Sequence, residues 1–191
     1  MTAAAVLVLL LALMVQFVGA ATRGWGRERE RAEALRLWRH AMGLMASDLG
    51  ALCRSPFLTN MVIDGGGGEG GPRLGALVTR PGGEGDLCAV AYWARRHHGG
   101  GGHELVRSFL PAQATGELLR GGGDPLGRGA ATIDEVLAPA VRDLRFAIIP
   151  VAGEAPQVFT TNLPDLVEVS FSVDAAGGGG GFPFRCQLPL R

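Results

Sequence analysis

Three of the four histidines lie close together: His97, His98 and His103, with the glycines 99–102 between them. Clustered imidazoles suit a borderline divalent metal. A metal site also needs ligands held in place, and a glycine tract cannot preorganise them. No cysteine or carboxylate at a fixed spacing completes a coordination shell, so the sequence names no metal ligand. The three cysteines, Cys53, Cys88 and Cys186, contain no C-x-x-C. An exported domain can oxidise one pair and keep one thiol, and Cys88 with Cys186 is a conceivable pair because both fall in strand-like segments. Equally, all three can be buried small hydrophobes; the odd count and irregular spacing favour no disulfide.

The close carboxylates Asp134-Glu135 and Asp64 with Glu69 read as a helix first turn and a solvated loop, not as an acid–base pair or a calcium site. No G-x-S-x-G or H-E-x-x-H occurs, and the glycine tracts lack the strand–loop–helix context of a phosphate cradle. All 18 strongly basic residues are Arg, which excludes a lysine Schiff base and a Walker-A lysine. With 18 acidic residues the formal net charge is zero, so no global field draws nucleic acid. The sequence therefore names no catalytic residue, cofactor or small-molecule substrate, and its function points to assembly rather than chemistry.

The elements that would organise such an assembly begin at the N-terminus. Residues 3–21, AAAVLVLLLALMVQFVGAA, carry no charge and one amide, Gln16. As a helix this stretch is about 28 Å long, close to the roughly 30 Å hydrocarbon core of a bilayer. The expectation is a membrane anchor over 1–22, with Ala3, Leu10, Leu13, Phe17 and Ala21 among its lipid-facing residues. The alternative is a signal peptide released after Ala20, for which Val18-Gly19-Ala20 is a suitable small-residue pattern. A buried core helix fits least well. Orientation poses a conflict. Arg23, Arg27, Arg29, Arg31, Arg36 and Arg39 follow the apolar block and no basic residue precedes it, which by the positive-inside bias would leave the remainder in the cytoplasm.

Residues 25–54 contain no proline, and Leu35, Trp38, Met42, Met45, Leu49 and Leu52 recur at steps of three and four. That spacing predicts an amphipathic helix over 23–55 with those six side chains as its packing face. Ser55-Pro56 is expected to end it, since a residue before proline avoids the helical region. Anchor and extension together make one N-terminal rod.

Beyond Pro56, glycine runs at 65–68, 99–102, 121–123 and 177–181 divide the chain into short apolar segments. Segments 74–79, 87–94, 104–110, 144–151, 166–173 and 184–190 read as strands. Val167, Val169, Phe171 and Val173 alternate with Glu168, Ser170 and Ser172, so that strand buries one face. Residues 87–96 and 103–110 read as a long hairpin. Residues 132–141, with an acidic start and Pro139, read as a short helix breaking into the next strand. The fold class is α+β, a long N-terminal helix packed on an antiparallel sheet domain over 56–191. The 31 glycines of 191 residues show no collagen period, and the 47% apolar content suffices for a core.

The order of these pieces resembles type IV pilins and type II secretion pseudopilins. The likeness is carried by LLLALMVQFVGAATRGW (9–25), RAEALRLWRHAMGLMASDLGAL (31–52), DLCAVAYWARR (86–96) with ELVRSFLP (104–111), and LPDLVEVSFSV (163–173). In detail it is similar to the larger, J-type minor pseudopilins and to Verru_Chthon cassette pseudopilin-like proteins. The resemblance implies a non-enzymatic structural subunit, single-pass in the inner membrane with its C-terminal domain periplasmic, meeting other pseudopilin-like subunits through the N-terminal helix. Such precursors carry a basic leader, a Gly-Phe-type processing site and a glutamate at the fifth mature position. None precedes the apolar block here, so the expectation is that Met1 is an internal or misassigned start with those features encoded upstream. That would also resolve the orientation conflict.

Overall fold

The computed structural model describes residues 2–55, 57–64, 71–79, 86–96, 102–125, 132–149, 157–159, 164–174 and 181–190. The rod is one uninterrupted helix, α1 (Thr2–Gly50), of 49 residues, about 74 Å long at 1.5 Å per residue. It is followed by β1 (Met61–Asp64), β2 (Arg73–Thr79), β3 (Leu87–Arg96), β4 (His103–Leu110), α2 (Ala112–Arg120), β5 (Ile133–Ile149), β6 (Gln157–Phe159), β7 (Leu166–Asp174) and β8 (Gly181–Pro189). The strands form one eight-stranded sheet in the order β6-β1-β2-β3-β4-β5-β7-β8, antiparallel at every pairing. The fold is therefore α+β, with the long helix against an antiparallel sheet.

Helix α1 ends at Gly50, five residues before the expected boundary at 55. Ala51 N and Leu52 N still bond back to Asp48 O at 3.1 Å and Leu49 O at 3.3 Å, and the chain then joins an open sheet edge instead of continuing the helix. Cys53 N donates to Leu77 O at 2.7 Å, Thr79 N donates to Ala51 O at 2.8 Å, and Leu52 bridges Val78. Three residues thus gain strand pairing in line with β1, which lies along the same side of β2. Pro56 is outside the described residues.

A second correction concerns residues 132–141, which form the first half of strand β5 rather than a short helix. The acidic pair there is not a first turn: Asp134 lies opposite Ser108 and Glu135 opposite Arg107 across the β4 ladder. Pro139 falls at a corner, with Ala140 at φ 53° and Asp143 at φ 52° and register shifts on both sides. Before the corner β5 pairs with β4, and after it with β7. A bent 17-residue strand therefore joins the two halves of the sheet and re-aims the second half, as bulges do.

The core is held between α1 and one face of this bent sheet. Ala34, Ala41, Met42, Met45 and Leu49 pack with Leu74, Val90, Tyr92, Leu105, Val141, Phe146, Val169 and Phe171. Strand β7 alternates as its sequence indicates, with Val167, Val169, Phe171 and Val173 buried. The short α2 covers the opposite face, where Leu77, Ala89 and Leu110 pack against Ala114 and Leu118. Edge strand β8 carries Pro183 and Pro189, residues without an N–H to offer a further strand.

Met45 is fully buried while Phe17, on the same helix, is 76% exposed. Met45→Ala is expected to lower domain stability by about 2–4 kcal/mol. Phe17→Ala should leave it within about 0.5 kcal/mol. Thermal unfolding of the two variants in one detergent checks this.

Candidate functional site

The helix is fixed to the sheet by a polar cluster centred on Asp48, in the last turn of α1. Its position follows from helical spacing, because Asp48 sits beside the buried Met45 and Leu49 and so faces the sheet rather than solvent. Arg107 Nε donates to Asp48 Oδ2 at 2.8 Å and Nη2 to Oδ1 at 3.0 Å, a two-pronged guanidinium–carboxylate pair. The Tyr92 hydroxyl donates to the same Oδ2. Tyr92 on β3 and Arg107 on β4 are register partners, so one carboxylate spans two adjacent strands. Arg107 also reaches Glu135 on β5, 3.7 Å away, and lies 5.6 Å above the Phe109 ring. The Asp48 and Arg107 side chains are only 15% and 12% exposed. Burial, followed by the nearby Asp48 charge, pushes the Tyr92 phenol well above its usual value. For Arg107 burial opposes the charge, but hydrogen bonds and attraction to Asp48 outweigh it and raise the guanidinium further.

A second network lies on the other face of β3 and β4. Arg95 pairs with Glu104 at 3.1 Å and Asp134 at 3.3 Å. Ser108 Oγ donates to Asp134 Oδ1 at 2.7 Å and accepts from Trp93 Nε1 at 2.8 Å. Strand alternation thus places Asp134 and Glu135 on opposite faces, each beside an arginine. Their chemistry is strand-to-strand charge pairing, and they form no carboxylate dyad. Sequence reading missed both networks: Asp48 is 44 residues from Tyr92 and 59 from Arg107, and no local spacing signals contacts at that range.

On the helix packing face, Met42, Met45 and Leu49 are buried. Leu35 is half-buried, and the small residues Ala34 and Ala41 contribute to the core beside it. Trp38 stacks on Phe184 with ring centroids 5.5 Å apart, and its buried indole N–H has no hydrogen-bond partner among the described residues. Leu52 has left the helix for its bridge to Val78. Of the anchor residues, Ala3 lies in α1, while Leu10, Leu13 and Phe17 are more than half exposed and Ala21 is partly exposed. Leu9, Leu11, Met14, Val15 and Val18 are exposed as well. Consecutive residues point in all directions around a helix, so this half of α1 is apolar all round. It is long and apolar enough to cross a membrane, and the relevant stretch is covered by nothing in the fold.

His97, His98 and Glu69 lie outside the described residues, as does most of the hairpin tip. His103 opens β4, and Asp64 closes β1 opposite Arg73. Among the described residues no group of three or more His, Cys, Asp or Glu is placed to hold a metal. Cys53, Cys88 and Cys186 are thiols. Cys88 and Cys186 sit on β3 and β8, with three strands between them in the sheet order.

No protein-family model matches the chain, and no curated protein matches it. Among solved structures, the fold is similar to that of a chain in the crystal structure of the GspK-GspI-GspJ complex from the enterotoxigenic Escherichia coli type 2 secretion system. The TM-score is 0.50 at 16% identity, and the match covers 83% of this chain and 97% of that one. At that identity the likeness is one of fold.

Tyr92 is the sole tyrosine, so tyrosinate absorbance reports this site alone. A raised phenol pKa means that the folded state keeps its proton while an unfolded tyrosine loses it near pH 10. The stabilising difference is thus complete below pH 10 and shrinks above it. Folded protein is expected to show no tyrosinate at about pH 11, and Tyr92→Phe should be less stable at neutral pH but lose less stability between about pH 10 and 11.5. Difference spectra and denaturant titrations across that range check both.

Proposed function

We propose that this chain is a membrane-anchored, non-catalytic structural subunit of a pseudopilin-like assembly of the type II secretion or type IV pilus kind. The observation that carries the reading is the division of one continuous helix. Its C-terminal half packs in the core of the sheet domain, and the stretch from Leu9 to Val18 presents apolar side chains that nothing in the fold covers. In this reading residues 1–22 are the transmembrane segment, 23–55 the extension that packs through Trp38, Met42, Met45 and Leu49, and 56–191 the periplasmic head. The pseudopilin fold supports it, and the similar solved chain belongs to a complex of three secretion-system proteins. The finer likeness, to J-type minor pseudopilins and Verru_Chthon cassette proteins, rests on the sequence pieces alone.

The helix suits a bilayer in physical detail. An α-helix satisfies its own backbone hydrogen bonds, as lipid requires. Where the apolar stretch ends, the Thr22 hydroxyl bonds back to Val18 O at 2.9 Å. The exposed Arg23 and Trp25 follow, side chains that settle at headgroup level. On assembly the anchors would exchange lipid for one another, a nearly neutral transfer. Register would then be set by the charged stretch from Arg23 to Arg36 and by the head domains.

Alkaline carbonate washing of membranes checks the anchor. Full-length chain is expected in the pellet, and a chain lacking residues 3–22 in the supernatant with its head still folded. Full-length chain in the supernatant would contradict anchoring. A soluble product starting at Ala21 would instead support a secreted β-rich binding module.

A further inference from the structure

The corner of β5 borders a cavity of about 360 Å³ that the assembly role does not use, within the roughly 300–1,000 Å³ range of small-ligand pockets. Its floor is apolar: Pro72, Ala94, Val141 and Leu144 line it, with Val141 and Leu144 buried. Its rim is cationic and rich in donors. Arg96 ends β3 and His103 begins β4, and the two are direct cross-strand partners, which brings their Cβ atoms to about 4.5–5.5 Å. Both offer N–H groups, and no hydrogen bond or ion pair joins either side chain to another described residue. Arg142 and Asp143 add one side chain of each charge from β5, so the positive character of the rim rests on Arg96 with His103 beside it. The β5 wall is strained, since Ala140 and Asp143 hold positive φ without being glycine. Such strain persists where the surroundings demand it and clusters at ligand clamps.

We infer that this cavity binds a small carboxylate bearing an apolar group, with the carboxylate on Arg96 and His103 and the apolar group on Pro72, Ala94, Val141 and Leu144. A guanidinium presents a planar fork that matches a carboxylate. The imidazole beside it supplies a further donor, and the floor removes the apolar group from water. A free acyl amino acid and the C-terminal residue of a peptide share this chemistry. The inference stands apart from the anchoring proposal, because the cavity belongs to the head alone.

Isothermal titration of the detergent-solubilised full chain tests it, with N-acetyl-leucine, its neutral amide N-acetyl-leucinamide, and the peptide N-acetyl-Gly-Gly-Leu as probes. Saturable binding of an acid is expected, with the amide at least about tenfold weaker. Arg96→Gln should weaken the acid by about tenfold or more, while Arg120→Gln, at the distant end of α2, should leave it unchanged. His103→Gln serves as the second variant if Arg96→Gln fails to fold. A peptide that binds as tightly as the free acid identifies a chain terminus as the source; tighter binding of N-acetyl-leucine identifies a free acid. Equal binding of acid and amide, no saturation by any acid, or unchanged binding after rim substitution would overturn the inference.

Discussion

Asp48 is the junction on which the molecule depends. A helix that extends far beyond its own domain acts as a lever, and any force on the projecting half is transmitted to the few turns that are packed. Apolar contacts from Met42, Met45 and Leu49 supply most of the adhesion, but such contacts are non-directional and tolerate sliding. The two-pronged Asp48–Arg107 pair, with the Tyr92 hydroxyl on the same carboxylate, is directional. It holds the last turn of α1 against two adjacent strands in one rotational and axial setting. Both ions are mostly buried, so losing one partner strands the other away from water, which costs more than a surface pair would return.

The remaining architecture can be understood from that junction. Immediately after Asp48 and Leu49 the chain leaves the helix and joins the sheet edge, so the helix end is fastened by backbone pairing as well as by charge. The sheet must then bend to follow the helix, and β5 accomplishes this with Pro139, two residues at positive φ and a change of partner from β4 to β7. Strand β8 completes the enclosure through the Trp38–Phe184 stack. One element therefore has two surroundings: the sheet domain packs on its C-terminal half, and the apolar stretch from Leu9 to Val18 is left uncovered.

Much of this was legible in the sequence because it depends on local periodicity. The uncharged stretch 3–21, the spacing Met42–Met45–Leu49 and the alternation Val167–Val169–Phe171–Val173 each record the environment of a face. What was illegible depends on partners remote in sequence. Asp134-Glu135 looked like a helix start, since an acidic pair before an apolar run is the usual sign of one; only the β4 register reveals Ser108 and Arg107 opposite. Strand β1 has four residues and α2 nine, with Gly116 inside it, so neither has enough length to show a period. The Asp48 cluster left no trace because three polar residues on three elements have no spacing rule, and the β5 cavity was hidden for the same reason.

A double-mutant cycle on Asp48 and Arg107 tests the central claim most directly. Unfolding free energies would be measured for the wild type, Asp48→Asn, Arg107→Met and the double variant under one condition. The account predicts a coupling of at least about 1.5 kcal/mol, with the double variant more stable than the sum of the single losses implies. A coupling of about 0.3 kcal/mol or less would show that the helix is held by its apolar face alone and that Asp48 is not the junction.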